Sequence, residues 1–250
     1  MKAKIIAIVA LLAIVGSAVA QKDKKWTEWD KKYAQKMLED SPWAKTQNET
    51  DTSESFFQPT SQKGVNGAGA GVNEDDRTKQ GASNQSSNVK YFVRLLSARP
   101  IREALIRTLE LNNSGADAKT VAGWHAYADA RGQDSNSIIV AVAYQGGQGC
   151  DRRCLGPVQQ AFDSAVTATL KSKTYLQRSD GKQLFLEKYI PPGKDGFGAQ
   201  FIFLRMPEEK LFIDATNTKE IRFYSEVSGS VKIDRRFKIA DMMFEGELEY

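Results

Sequence analysis

Residues 137–144 read Ser-Ile-Ile-Val-Ala-Val-Ala-Tyr, apolar at consecutive rather than alternate positions. Successive side chains of a strand point to opposite faces, so a strand of this kind belongs at the centre of a sheet. The seven residues Ile138 to Tyr144 are far too few to span a membrane as a helix. Any fold for this chain has to be built outward from that strand.

The flanking patterns supply the neighbours. Val89 to Leu96 alternates Val89, Tyr91, Val93 and Leu95 with Lys90 and Arg94, a half-buried strand. Ser97-Ala98-Arg99-Pro100 opens a helix with Ser97 as the capping-type residue, and the helix runs to about Leu111. Residues 116–130 and Pro157 to Leu170 keep helical spacing. The last eighty residues read as a meander of strands: Thr174 to Arg178, Gln183 to Ile190, Gly198 to Met206, Glu220 to Val227 and Phe237 to Tyr250. Asp180-Gly181 marks a hairpin. Alternating strands and helices followed by successive strands predict an α+β fold, a largely antiparallel sheet with helices packed on one face.

The N-terminal region divides differently. Lys2 and Lys4 precede eleven apolar residues, Ile5 to Val15, and a small-residue stretch ending Ala18-Val19-Ala20. Together these form a secretory signal peptide over 1–20, with cleavage after Ala20. That places the mature chain in the periplasm or outside the cell, with no transmembrane span left. Residues 21–57 hold a Trp-rich amphipathic helix over 24–39 and a short strand over 47–57. Residues 58–88 lack aromatics and have only Val65 and Val72 as larger aliphatics, which predicts a disordered polar and Gly-rich linker. Residues 89–250 are the globular domain.

Removing Lys2 and Lys4 takes the formal charge from +4 to +2. A nearly neutral chain with interspersed charges has no general attraction to nucleic acid or an anionic membrane. One histidine, His125, and two cysteines do not furnish a zinc site, and His125 reads as an ordinary helix residue. No G-x-S-x-G elbow is present, and the S-x-x-K spacings Ser87/Lys90 and Ser179/Lys182 do not fall on a helical turn. Gly64 to Gly71 lacks the strand, helix and G-K-[ST] of a phosphate loop, and Asn73 to Asp76 lacks the EF-hand spacing. No catalytic, cofactor-binding or metal-binding residue is assigned, and no cofactor is expected.

Four features remain as candidates. Cys150 and Cys154, in an oxidising compartment, predict a local disulfide; a minor redox role is the alternative, with Arg152 and Arg153 beside the thiols. Trp26, Trp29, Tyr33 and Trp43 form an aromatic stripe that docks either on the chain's own body or on a partner, for which an envelope protein is the candidate. Arg99 and Arg102 begin a helix, where a small anion could sit. Glu245, Glu247 and Glu249 alternate with Phe244, Leu248 and Tyr250, which on a strand puts the carboxylates in solvent.

Two segments also carry a resemblance: Trp26-Thr-Glu-Trp29 with Asp40-Ser-Pro-Trp-Ala-Lys-Thr-Gln47, and Tyr91-Phe-Val-Arg-Leu-Leu-Ser-Ala-Arg-Pro-Ile-Arg-Glu-Ala-Leu105. Together they resemble a family of uncharacterised exported proteins encoded repeatedly in Acidobacteria-type bacteria. The first segment is also similar to the opening of GWxTD-domain proteins, without the Gly-Trp-x-Thr-Asp signature. The resemblance implies an exported or envelope protein and brings no activity or site residue. The resulting expectation is a non-enzymatic binding or envelope-associated protein. The alternative is a secreted hydrolase whose carboxylates converge only in three dimensions.

Overall fold

The structure is a computed structural model that describes residues 24–50, 88–130, 135–147, 150, 152–216 and 218–250. The expected signal peptide and nearly all of the expected linker lie outside the described residues. Among the described residues the fold is α+β: five α-helices pack against antiparallel sheets.

Strand β3 (Ser137–Gly146) does lie at the centre. It is the middle of a five-stranded antiparallel sheet that also contains β1 (Ala44–Thr50), β2 (Asn88–Leu95), β6 (Lys188–Ile190) and β7 (Ala199–Leu204), ordered β1-β2-β3-β7-β6. Strand β1 pairs with β2 along its whole length, so the segments on either side of residues 51–87 share one sheet. Gly198 allows β7 to approach β3. Its φ is +89°, and a Cβ there would lie 2.4 Å from the Val142 carbonyl oxygen.

The expected C-terminal meander is instead divided between sheets. Strands β4 (Thr174–Arg178), β5 (Gln183–Phe185), β8 (Glu220–Glu226) and β9 (Lys232–Lys238) form a second antiparallel sheet, ordered β5-β4-β8-β9. A small hairpin, β10 (Met243–Phe244) and β11 (Glu247–Leu248), follows. Glu245 and Gly246 both have positive φ, as a two-residue hairpin turn with primed geometry requires. The predicted strand 237–250 is thus the end of β9, a 3₁₀ turn and this hairpin, because the turn reverses the chain after Phe244.

The inner faces of the two sheets make the core. Phe223 of β8 packs edge-on against Phe201 and Phe203 of β7, at ring distances of 5.3 and 6.3 Å. Val93, Val140, Val142, Ile221, Ile233 and Phe237 are likewise buried. The sheets meet at two seams. At one the chain itself crosses: Leu186 N–H donates to the Thr174 carbonyl in the second sheet, and Glu187 N–H donates to the Ile202 carbonyl in the first. At the other, edge strands β1 and β9 face each other. The Gln47 side chain bridges them, donating to the Lys232 carbonyl (2.7 Å) and accepting from Asp234 N–H (3.0 Å).

Helix α1 (Lys31–Glu39) covers β1 and β2. Asp30 caps it, accepting from Tyr33 N–H at 2.7 Å, and this cap splits the predicted helix 24–39 after a 3₁₀ turn at Trp26–Glu28. Helix α2 (Arg99–Asn112) packs on α1 and on α3 (Ala118–Asp129). Helix α4 (Arg152–Ser164) sends Phe162 against Tyr91 and Tyr144 at one end of the inter-sheet core, followed by the single turn α5 (Thr167–Leu170).

Candidate functional site

The aromatic stripe docks on the chain's own body. Trp29 and Trp43 are buried. Trp43 Nε1 donates to the Glu249 carbonyl at 2.8 Å, and the Trp29 carbonyl accepts from Arg107 Nε of α2 at 2.7 Å. Trp26 lies edge-on to His125 at 4.8 Å and donates to Asp129, and Tyr33 packs edge-on to Trp29. Burial removes Trp29 and Trp43 from any exposed surface, so of the two destinations expected for the stripe the structure occupies the internal one. His125 Nε2 lies 2.5 Å from Glu110 Oε1 on the neighbouring helix.

Cys150 and Cys154 lie at disulfide distance, with Cα atoms 5.6 Å apart. The link joins the loop after β3 to the first turn of α4, and both residues pack part-buried against the core. The side chains of Arg152 and Arg153 lie outside the described residues.

The N-terminus of α2 carries the densest charge. Its cap position is Ala98, which has no side chain to accept the orphan amides. Ser97, the expected cap, instead accepts from Ile139 N–H of β3 at 3.1 Å. The missing acceptor arrives from 150 residues away: Glu249 Oε2 accepts from Arg99 N–H at 3.0 Å. Glu249 is 1% exposed, which overturns the expectation of three solvent-facing glutamates. Glu245 and Glu247 are exposed. The alternation fails because the strand ends at Leu248, and Glu249 N–H turns back to the Met242 carbonyl.

Around this cap, Arg99 pairs with Glu245, and its Nε lies 3.7 Å from Glu103 Oε1. Arg102 is buried, and its guanidinium donates to the carbonyls of Ser97, Tyr127 and Ala130. Burial pushes the Glu103 carboxyl up to about 8 against the pull of Arg99, so it is mostly protonated at neutral pH. The anion expected beside Arg99 and Arg102 is therefore one of the chain's own carboxylates. Neither cavity described next is lined by Glu103 or Glu249.

One cavity, of about 410 Å³, lies between Met206, Leu211, Leu248 and Tyr250. Its one cation is Arg205, 2% exposed, which donates to the Tyr250 main-chain oxygen and stacks 4.2 Å over the Tyr250 ring. Like Arg99 and Arg102, it is engaged internally.

The other cavity differs. A cleft of about 590 Å³ opens where β1 and β9 diverge, lined by Lys45 and Thr46 on one edge and Asp234, Arg235 and Arg236 on the other. Register fixes which side chains face inward. Lys45 is opposite Val93 and Arg235 is opposite Phe223, and both of those partners are fully buried in the inter-sheet core. Lys45 and Arg235 thus stand on the inner faces of their sheets, at the unclosed part of the seam.

Their partners are few. Asp234 is the cleft's one lining carboxylate, and it is taken by Arg222 in a two-pronged pair at 2.7 and 2.6 Å, which holds its carboxyl below the usual range. Among the described residues Lys45 pairs with exposed Asp40 at 3.6 Å, and exposed Arg236 reaches Glu220 at 3.1 Å. Arg235 Nη1 donates to the Asp234 carbonyl at 2.9 Å, and its buried Nε has no partner. Burial lowers the Arg235 pKa. Sequence reasoning missed this site because Lys232–Lys238 has apolar residues only at Ile233 and Phe237, with Arg235 in the inward place between them.

Among the described residues no helix is long and apolar enough to cross a membrane, and no three His, Cys, Asp or Glu side chains gather as a metal site. No protein-family model, curated protein or solved structure matches the chain.

Proposed function

We propose that this chain is an exported, non-catalytic binding protein of the envelope, whose ligand site is the cationic cleft between β1 and β9. The observation that carries the reading is the charge of the cleft: Lys45 and Arg235 stand at inward positions on its two edges, and its lining carboxylate is already spent on Arg222. A cleft in which like charges converge attracts and concentrates anions. The expected signal peptide and the resemblance to exported proteins support the location.

Two measurements test this. N-terminal sequencing of the protein from its native cell should begin at Gln21; a chain still starting at Met1 removes the exported role. Millimolar oxyanions at constant ionic strength should raise the melting temperature of the protein and leave that of Arg235→Gln unmoved. An equal rise in both proteins contradicts the site.

The hydrolase reading has one observation in its favour, the convergence of Glu103 and Glu249 near Arg99. Both carboxylates are buried, Glu249 caps the helix terminus, and neither lines a cavity, so the binding reading is favoured.

A further inference from the structure

Resting on that reading, we infer that the β1–β9 cleft takes a dianionic phosphate group carried on a small organic body, a phosphate monoester. Two inward-facing cations, Lys45 and Arg235, line the cleft, and Arg236 stands at its rim on the outer face of β9. With Asp234 neutralised by Arg222, no carboxylate inside the cleft opposes them. Both pairs have a solvent-facing member: Asp40, the partner of Lys45, is 79% exposed, and Arg236, paired with half-buried Glu220, is 62% exposed. Exposed pairs of that kind are weak and exchange for a better anion at little cost.

The three cations differ in what they offer. Arg235 presents a planar guanidinium, a fork suited to two oxygens of one group. Lys45 and Arg236 supply charge from the opposite edge and the rim. A carboxylate has two oxygens and one charge. A phosphate monoester has three terminal oxygens and carries about −1.5 to −2 at pH 7, which matches the paired charges of Lys45 and Arg235 better. The cleft, about 590 Å³ and open to solvent, leaves room for a body beyond the anion. Burial depresses the Arg235 pKa by withdrawing water from the guanidinium, and a bound oxyanion would replace that water.

Calorimetric titration of the full chain tests the inference, with glycerol phosphate, inorganic phosphate and acetate at matched ionic strength. Saturable binding of both phosphates is expected, with acetate at least about tenfold weaker. Glycerol phosphate should bind at least as tightly as inorganic phosphate; the reverse order removes the organic body from the inference. Arg235→Gln and Lys45→Gln should each weaken phosphate binding about tenfold, the scale of one charged hydrogen bond. Binding should also fall as pH drops through about 6, where the phosphate loses its second charge. Should Arg235→Gln fail to fold, Lys45→Gln and Arg236→Gln make the same test on exposed positions. Acetate binding as tightly as phosphate overturns the ligand class and leaves the binding reading intact. Binding of none of the anions overturns both. Phosphate binding unmoved by every cleft variant places it elsewhere and overturns the inference.

Discussion

The N-terminus of α2 and the β1–β9 cleft both concentrate arginines, and they resolve the charge in opposite ways. At α2, Arg99 and Arg102 meet Glu103 of the same helix and Glu245 and Glu249 of the C-terminal hairpin segment, and the buried Glu249 takes the place of the missing cap. In the cleft, the lining carboxylate is claimed by a residue outside it, and among the described residues Arg235 donates to a backbone carbonyl and pairs with no carboxylate. Positive charge by itself does not mark a ligand site. What separates the two regions is whether the chain supplies the counter-anion. The seams make the same distinction in backbone terms: the chain is continuous through Leu186 and Glu187 on one side, while Gln47 is the bridge on the other.

Removing the internal anion should have the largest effect. Glu249→Ala leaves α2 uncapped beside buried Arg102 and Arg205, and should cost about 3–5 kcal/mol by urea denaturation. A loss below about 1 kcal/mol would mean that the cluster is not balanced by Glu249.

Glu103→Gln sharpens the same side of the comparison through pH. A carboxyl raised to about 8 in the fold, against about 4.3 unfolded, binds more protons when folded. It therefore favours the folded state most strongly below about pH 4.3, and this contribution is lost as pH rises to about 8. The groups setting the shift are burial, Arg99, Glu245, Asp129 and Arg102. The glutamine variant should lack that decline and be more stable than the parent at pH 8.5, by a few kcal/mol (~1.4 per pKa unit). Parallel stability–pH curves for the two proteins would contradict the shifted carboxyl.

Gln47→Ala should open the second seam. Two hydrogen bonds to the β9 backbone are lost, worth about 1–2 kcal/mol together. Hydrogen exchange at the Asp234 amide should accelerate while the Leu186 and Glu187 amides at the continuous seam stay protected; equal protection everywhere would deny Gln47 its role. The smallest effect belongs to Arg235→Gln, which should change stability by less than about 0.5 kcal/mol, because no carboxylate loses its partner. A loss comparable to that of Glu249→Ala would make Arg235 a structural residue and erase the difference between the regions.

Local signals in the sequence were strong wherever burial follows a simple period. The doubly apolar 137–144 segment is the central strand, Thr174–Arg178 is a strand at the predicted bounds, and Trp29 and Trp43 of the aromatic stripe are buried on the chain's own body, although the helix that carries it begins only after Asp30. The fold class follows from these. The partition of the last strands between two sheets was not legible, because β5 and β6 look like one strand and change sheets at Leu186 without a turn signal. Glu249 reads as wet from its alternation with Leu248 and Tyr250, and only the distant helix end at Arg99 makes it buried. Arg235 is hidden for the converse reason: a charged residue at an inward position has no sequence signature, and its exposure to the cleft depends on where β1 leaves β9.

The most direct test places an electron-dense oxyanion on the molecule. Crystals soaked in tungstate and measured at the tungsten edge should show an anomalous peak between Arg235 and Lys45, with none at Arg99 N–H, where Glu249 remains. A peak at the α2 terminus with Glu249 displaced, or an empty β1–β9 cleft, would contradict the claim that the chain satisfies one region and leaves the other for a ligand.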